Sequence, residues 1–391
     1  MDFSLALIIL LGLLANKLFE KLKLPGLIGM LLVGILVGPY GLNILSNELL
    51  SLSSDFTKIA LIVILFRAGI GLNKNKLKKV AKPAILLSFI PSLLEGISIA
   101  VVSIYLFDFT IIEGGMLGFI IAAVSSAVVI PAMLDYDKQG VGSKKGITTL
   151  ILAGASMDNV FAITIFSSII GIYGTKKISV LFAISQVFIS VILGVLIGVI
   201  VGFLLIYLFK KWDIRDTKKT LILIGLAIFI TSFETLLKGI VPLSSLLGIM
   251  TIGFIILEKL PKVAKGLSSK FNKVWIFAEI LLFVLVGAKV NINEIFTSGL
   301  KGLLIIIVGL IFRSIGVLIS THNSGLNKKE RMFCVISFIP KATVQAAIGA
   351  IPLIMGVPTG ELILAVAVLA IIITAPIGAI GIKHGAKKLL T

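Results

Sequence analysis

Apolar runs of about twenty residues, the length of a helix that crosses a bilayer, recur from one end of this chain to the other. A helix is the form in which such a run satisfies its own backbone N–H and C=O groups inside hydrocarbon. Of the 391 residues, 58% are hydrophobic and 14% charged, against about 25% charged in soluble domains. The chain therefore reads as an all-α polytopic membrane protein and not as a soluble enzyme with one anchor. Segmentation on span length predicts thirteen transmembrane helices, at 3–19, 26–42, 57–72, 83–107, 111–134, 146–173, 179–209, 220–237, 241–257, 274–290, 302–320, 332–355 and 361–382.

A formal charge of +18 would point to nucleic acid in a soluble protein, but its distribution here has another cause. Lysine and arginine crowd the connections after helices 1, 3, 5, 7, 9 and 11 and the C-terminal tail. Examples are Lys74, Lys76, Lys78, Lys79 and Lys82, or Lys328, Lys329 and Arg331. The alternate connections are poor in them, with Lys176, Lys177 and Lys238. By the positive-inside rule the C-terminus is cytoplasmic and the N-terminus outside. The first apolar segment lacks a basic leader and a cleavage site, so it reads as a retained helix. A single Cys334 excludes an intrachain disulfide and a multi-cysteine metal site. His322 and His384 fall in a loop and near the C-terminus. No P-loop, hydrolase elbow or zinc spacing is found. The expectation is a protein that is not an enzyme, needs no cofactor, binds no nucleic acid and implies no soluble protein partner.

The chain also repeats itself. Leu27–Gly34 matches Leu247–Gly253, with glycines five apart in both; Gly69–Asn73 matches Gly287–Asn291; and Glu95–Ser98 aligns with Arg313–Gly316. The offsets are 218 or 219 residues, which is seven helices, so the two halves lie in opposite orientation. That is the inverted-repeat plan of secondary transporters, two six-helix repeats with helix 7 as linker. In such folds the site lies at the midplane, where helices of both repeats are interrupted. Helix 5 carries Ser125, Ser126 and Pro131, and helix 12 carries Pro340, Lys341, Thr343 and Gln345. Discontinuous crossover helices are expected at both places. The glycine-rich motifs read as close helix packing and not as phosphate cradles.

Four charges fall deep within spans: Glu95, Asp158, Arg313 and Lys341. An intramembrane acid is costly, by about 2.5–3.5 kcal/mol on insertion scales, and by default marks an ion or proton path. Glu95 and Arg313 occupy equivalent positions of the two repeats and are expected to pair, as a structural bridge or as a coupling pair. Lys341 follows a proline in a broken helix, where a cation offsets the C-terminal dipoles of facing half-helices or carries a proton. Asp158 is the candidate site for a proton and a small hard cation in competition, with Asn159 supplying a carbonyl and Ser125 and Ser126 further oxygens. The alternative is that Asp158 only partners Lys341. Arg67 and Glu279 lie closer to helix ends, where an interfacial pair or snorkelling accounts for them.

The stretch Ala155–Thr164 resembles the monovalent cation:proton antiporter-2 family, in particular its NHA-type Na⁺/H⁺ antiporter branch. Ala123–Leu134 resembles that family's first crossover helix, Gly142–Leu150 the lead-in to its ion-site helix, and Leu282–Ala288 and Pro340–Ala347 its second half. The likeness runs from helix 2 to helix 13. It implies exchange of Na⁺ or Li⁺ for protons by an elevator-type cycle, and a homodimer in a bacterial cytoplasmic membrane. It also implies a dimerisation or scaffold domain formed by 1–82 and 179–290 and a core domain formed by 83–173 and 302–382. By the same resemblance Glu95 and Arg313 are the core-domain ion pair and Lys341 the crossover lysine. One position departs from the pattern: the family has Asp-Asp or Asn-Asp where this chain has Asp158-Asn159. Three explanations stay open. Asp158 has taken over the work, the site is a natural variant with altered coupling, or an engineered Asp-to-Asn change traps one state and weakens transport. A K⁺/H⁺ antiporter, an organic-anion:Na⁺ symporter of the same fold and a protein that only binds the cation are the rival readings.

Overall fold

The computed structural model describes residues 1–22, 24–71, 74–142, 145–173, 180–237 and 243–390. Lys23, Ser143, Lys144, Lys176, Lys177 and Lys238, and the 72–73 end of one repeated motif, lie outside the described residues. Every regular element described is a helix. The first ten are α1 (Asp2–Lys21), α2 (Gly26–Val37), α3 (Asn47–Ser51), α4 (Ser53–Gly71), α5 (Lys74–Phe107), α6 (Ile111–Ile121), α7 (Ser126–Lys138), α8 (Ile147–Ile172), α9 (Val180–Lys211) and α10 (Asp216–Leu236). Then follow α11 (Ser245–Lys259), α12 (Pro261–Ala288), α13 (Ile292–Ser320), α14 (Lys328–Ser337), α15 (Thr343–Ile348), α16 (Ile351–Ile354) and α17 (Gly360–Leu389). Among the described residues seven helices are long and apolar enough to cross a membrane.

Several helices outrun their apolar segments. α12 begins at Pro261, so Lys262, Lys265, Lys270 and Lys273 stand on the helix and not in a connection. Proline fits that first position, because an N-terminal N–H has no helical partner to lose. α13 begins at Ile292, ten residues before the predicted 302, and is capped by the Asn291 side chain, which accepts from the Asn293 N–H at 3.0 Å.

Two predicted segments are interrupted. The 111–134 segment resolves into α6 and α7 with non-helical backbone at 122–125, and 332–355 into α14, α15 and α16 with a break at 338–342. Pro340 helps to set the second break, since proline has no N–H for a helical bond and its ring crowds the preceding turn. The outer ends of both interrupted segments are firmly started by reciprocal capping boxes, Thr110 with Glu113 and Asn327 with Glu330, each satisfying two orphan donors.

The chain forms two compact units. One comprises Met1–Ser53, Asn75–Phe166 and Ile280–Thr391, and the other Ser54–Lys74 and Ser167–Glu279. In the first, α2 lies against the C-terminal part of α12 through glycine. A Cβ on Gly34 would strike the Val284 carbonyl, and one on Gly287 would come 3.2 Å from Gly34 Cα. The core beneath the two breaks is built from α5, α7, α8, α14 and α17, with Leu87, Val124, Ile151, Ala155, Phe333 and Phe338 fully buried in it. In the second unit α4 and α11 make a matching approach. A Cβ on Gly253 would lie 3.3 Å from Gly69 Cα, and one on Gly69 would strike the Met250 carbonyl. Phe66 and Phe271 stack at 5.1 Å, and Arg67 donates to Asn272 Oδ1 at 2.9 Å while lying over the Trp275 ring.

Candidate functional site

The two breaks of the first unit face one another. The Ser125 N–H donates to the Pro340 carbonyl at 2.7 Å, one interrupted helix to the other. Gln345 completes the join. Its amide nitrogen donates to the carbonyls of Ile120 (3.0 Å), Ile121 (3.2 Å) and Ala123 (2.8 Å), and its oxygen accepts from the Ala342 N–H at 2.8 Å. Backbone groups left bare by an unwound helix cost several kcal/mol each in hydrocarbon. One fully buried glutamine therefore holds both breaks open.

Around this join all four predicted intramembrane charges converge, each at most 2% exposed. Arg313 of α13 is the hub. Its Nη1 meets Glu95 Oε2 at 2.6 Å and its Nη2 meets Asp158 Oδ2 at 2.9 Å. Its Nε donates to the Phe338 carbonyl at 2.7 Å at one break, and Nη1 also donates to the Ala122 carbonyl at the other. Lys341 Nζ meets the same Glu95 Oε2 at 2.6 Å, while its backbone N–H donates to Thr374 Oγ1 at 2.9 Å. Asp158 has three partners: the Arg313 guanidinium, the Val124 N–H at 2.8 Å, and the Ser92 hydroxyl on its other oxygen. Two carboxylates and two cations leave the cluster neutral, and burial on this scale is tolerable only for charges so paired.

The expected Glu95–Arg313 pair is present, but it does not stand apart from Asp158. Arg313 joins the two carboxylates, and Asp158 pairs with it and not with Lys341. The reason is geometric: the guanidinium presents several donors in one plane and reaches both breaks at once, whereas the ammonium is spent on Glu95. Asn159 is 7% exposed, and its Oδ1 has no hydrogen-bond partner among the described residues. The same is true of the Ser125 hydroxyl, the Thr343 hydroxyl and Glu95 Oε1. Ser126, the first residue of α7, is buried, and no hydrogen bond links it to the charges among the described residues. Four buried oxygens thus lack a hydrogen-bond partner, on both breaks and on both flanking helices, and oxygen is the ligand type that suits a small hard cation. Among the described residues no three His, Cys, Asp or Glu side chains gather as a metal centre.

Sequence reasoning missed Ser92 and Thr374, and it named Thr343 and Gln345 only as residues of a broken helix, without a role. Ser92 lies one helical turn before Glu95 and so on its face. Thr343 stands 218 residues after Ser125, the same offset as Glu95 to Arg313. Those two spacings were the available signals.

An all-helical chain whose two interrupted helices meet at a neutral, buried quartet of charges is a membrane transporter. It belongs to the sodium/hydrogen exchanger family: the family described as "Sodium/hydrogen exchanger, transmembrane" matches residues 5–388. The chain is 33% identical to sodium/hydrogen exchanger 9B2 of Xenopus tropicalis, over 99% of this chain and 75% of that protein. It is 32% identical to human sodium/hydrogen exchanger 9B2, over 97% and 73%, and 30% identical to human 9B1, over 100% and 78%. Its fold is similar to that of the sodium proton antiporter MjNhaP1 from Methanocaldococcus jannaschii. The TM-score is 0.87 at 20% identity, covering 99% of this chain and 97% of that one.

Proposed function

We propose that this protein exchanges Na⁺ or Li⁺ for protons across the membrane, with cation and proton competing at the Asp158–Asn159 site. One observation carries the reading: Asp158 is the sole carboxylate hydrogen-bonded to the backbone of a helix break, through the Val124 N–H, among the described residues. Arg313, its partner, is in turn bonded to the carbonyl of Phe338 at the opposite break. The orphaned oxygens of Asn159, Ser125 and Thr343 are the candidate further ligands. Ser126 is a less direct one.

Charge bookkeeping supplies a mechanism. With both acids ionised the quartet is neutral, and Arg313 holds Asp158 closed. A proton on Asp158, or a Na⁺ that displaces Arg313 from Oδ2, each raises the cluster to a single positive charge. The two loaded forms carry equal charge and exclude one another, so the exchange is one for one and electroneutral. Glu95 and Lys341 stay paired throughout and keep Arg313 within reach.

The wider reading has thirteen spans in two inverted six-helix repeats, within the NHA-type branch, working as a homodimer by an elevator cycle. Residues 83–173 and 302–382 form the moving core, and 1–82 and 179–290 the scaffold. The repeat is supported by the paired glycine approaches: Gly34 meets Gly287 in one unit and Gly253 meets Gly69 in the other, each pair the 218- or 219-residue image of its counterpart. The proposed location is a bacterial cytoplasmic membrane, N-terminus outside, which the basic connections favour. The test is a proteoliposome assay with an internal pH dye. Na⁺ or Li⁺ gradients should drive proton movement and K⁺ gradients should not; an inert protein, both as it stands and as Asn159→Asp, rejects the reading.

A further inference from the structure

At the end of α13 remote from its Asn291 cap, a cavity of about 510 Å³ opens between α5, α13 and α14. Its wall is aliphatic, with Leu86 on α5 and Ile315 and Ile319 on α13; the two isoleucines are 42% and 53% exposed. Its rim carries the basic Lys82 and Arg331 beside the polar Ser320, His322 and Asn323, and among the described residues no acidic side chain lines it. Arg331 is fixed in place: its Nη2 donates to the Leu318 carbonyl at 2.5 Å and its Nε to Thr321 Oγ1 at 3.3 Å. Those bonds use two of the five guanidinium N–H groups and leave the rest for an anion.

We propose that this cavity binds an anionic phospholipid. Its phosphodiester would sit on Arg331 and Lys82, and an acyl chain would lie along Ile315, Ile319 and Leu86. Charge complementarity with Lys82 and Arg331, opposed by no lining acid among the described residues, selects an anion. The aliphatic wall selects one that carries a chain, since a free phosphate would leave that surface uncovered. Basic pockets between transmembrane helices at the membrane surface are suited to lipid head groups on the same grounds. A lipid held here would touch α5, α13 and α14, which also carry Glu95, Arg313 and the Phe338 carbonyl into the charged cluster. It would therefore brace that cluster from the membrane surface. The proposal rests on the chain being a membrane protein and not on which ion it moves.

The experiment measures the unfolding temperature of delipidated, detergent-purified protein with added phosphatidylglycerol, phosphatidylcholine or soluble glycerol phosphate. Only phosphatidylglycerol should raise it, saturably. Lys82→Gln should weaken the apparent affinity about fivefold, the share of one surface cation, and Lys82→Gln with Arg331→Gln should weaken it further. Lys210→Gln with Lys211→Gln, an equal loss of charge elsewhere, should leave it unchanged. Because Arg331 also ties down Leu318 and Thr321, Lys82→Gln alone decides the matter if the double variant does not fold. Equal stabilisation by phosphatidylcholine or glycerol phosphate overturns the proposal. So does an equal effect of the Lys210/Lys211 pair, or an unaltered response in Lys82→Gln.

Discussion

Glu95→Gln is the most informative single change, because one oxygen, Oε2, takes both Arg313 and Lys341 at 2.6 Å. Hydrogen bonds to charged groups contribute about 1.5–3 kcal/mol each. Removing one partner from a buried ion pair costs about 3–5 kcal/mol, because the other charge is left uncompensated. Glutamine keeps a neutral acceptor for one of the two cations and leaves the cluster with one net positive charge. The expected loss of stability is therefore about 3–4 kcal/mol. Adding Lys341→Met removes the cation that has lost its partner, leaves Asp158 balanced against Arg313 and restores neutrality. The double variant should recover about half of the single's loss, about 1.5–2 kcal/mol, and the coupling in a double-mutant cycle is that recovery plus whatever Lys341→Met costs alone. Reversible unfolding in mixed micelles, with both singles and the double, measures it. If the two singles simply add, Glu95 and Lys341 are not energetically joined, and the neutral quartet is the wrong description of this core.

Gln345→Leu removes the donor shared by three carbonyls across the two breaks. It should cost about 2–3 kcal/mol in the same unfolding assay and suppress flux. Gly34→Val drives a side chain into the Val284 backbone and should cost about 1–3 kcal/mol or more through overpacking. Gly225→Ala, in a helix with open space around it, should instead gain up to about 1 kcal/mol; a loss at Gly225 would mean that the site is not open. Asn159→Asp adds a second titratable group beside Asp158. An imposed potassium diffusion potential should then drive Na⁺ flux in that variant and leave the parent protein indifferent.

Much of this was legible in the residues. Apolar length located the helices, and Pro340 and the Ser125–Ser126 pair marked both interruptions, because polar and helix-breaking groups in mid-span are too costly to be incidental. Helix ends were read less well. The lysines that begin α12 and the polar start of α13 belong to helices that extend beyond their apolar segments, and a criterion based on hydrocarbon thickness trims them. The five-residue α3 is far shorter than a span, so a search for apolar length passes over it. The partner of Asp158 was also out of reach: α5, α8, α13 and the 338–342 break bring four charges together, and which cation reaches which acid depends on where 122–125 and 338–342 place their carbonyls. Gln345 and Ser92 look like ordinary small or polar helix residues until the unwound backbone they serve is in view.

The central claim is that Na⁺ and a proton exclude one another at Asp158, and calorimetry of Na⁺ binding in buffers of differing ionisation enthalpy tests it most directly. On the acid side of the titration, binding should release about one proton per cation, with apparent affinity falling as pH falls; on the alkaline side release should vanish. Asp158→Asn should abolish both the binding and the release. Na⁺ binding with no proton released at any pH, or binding that survives in Asp158→Asn, would contradict the account.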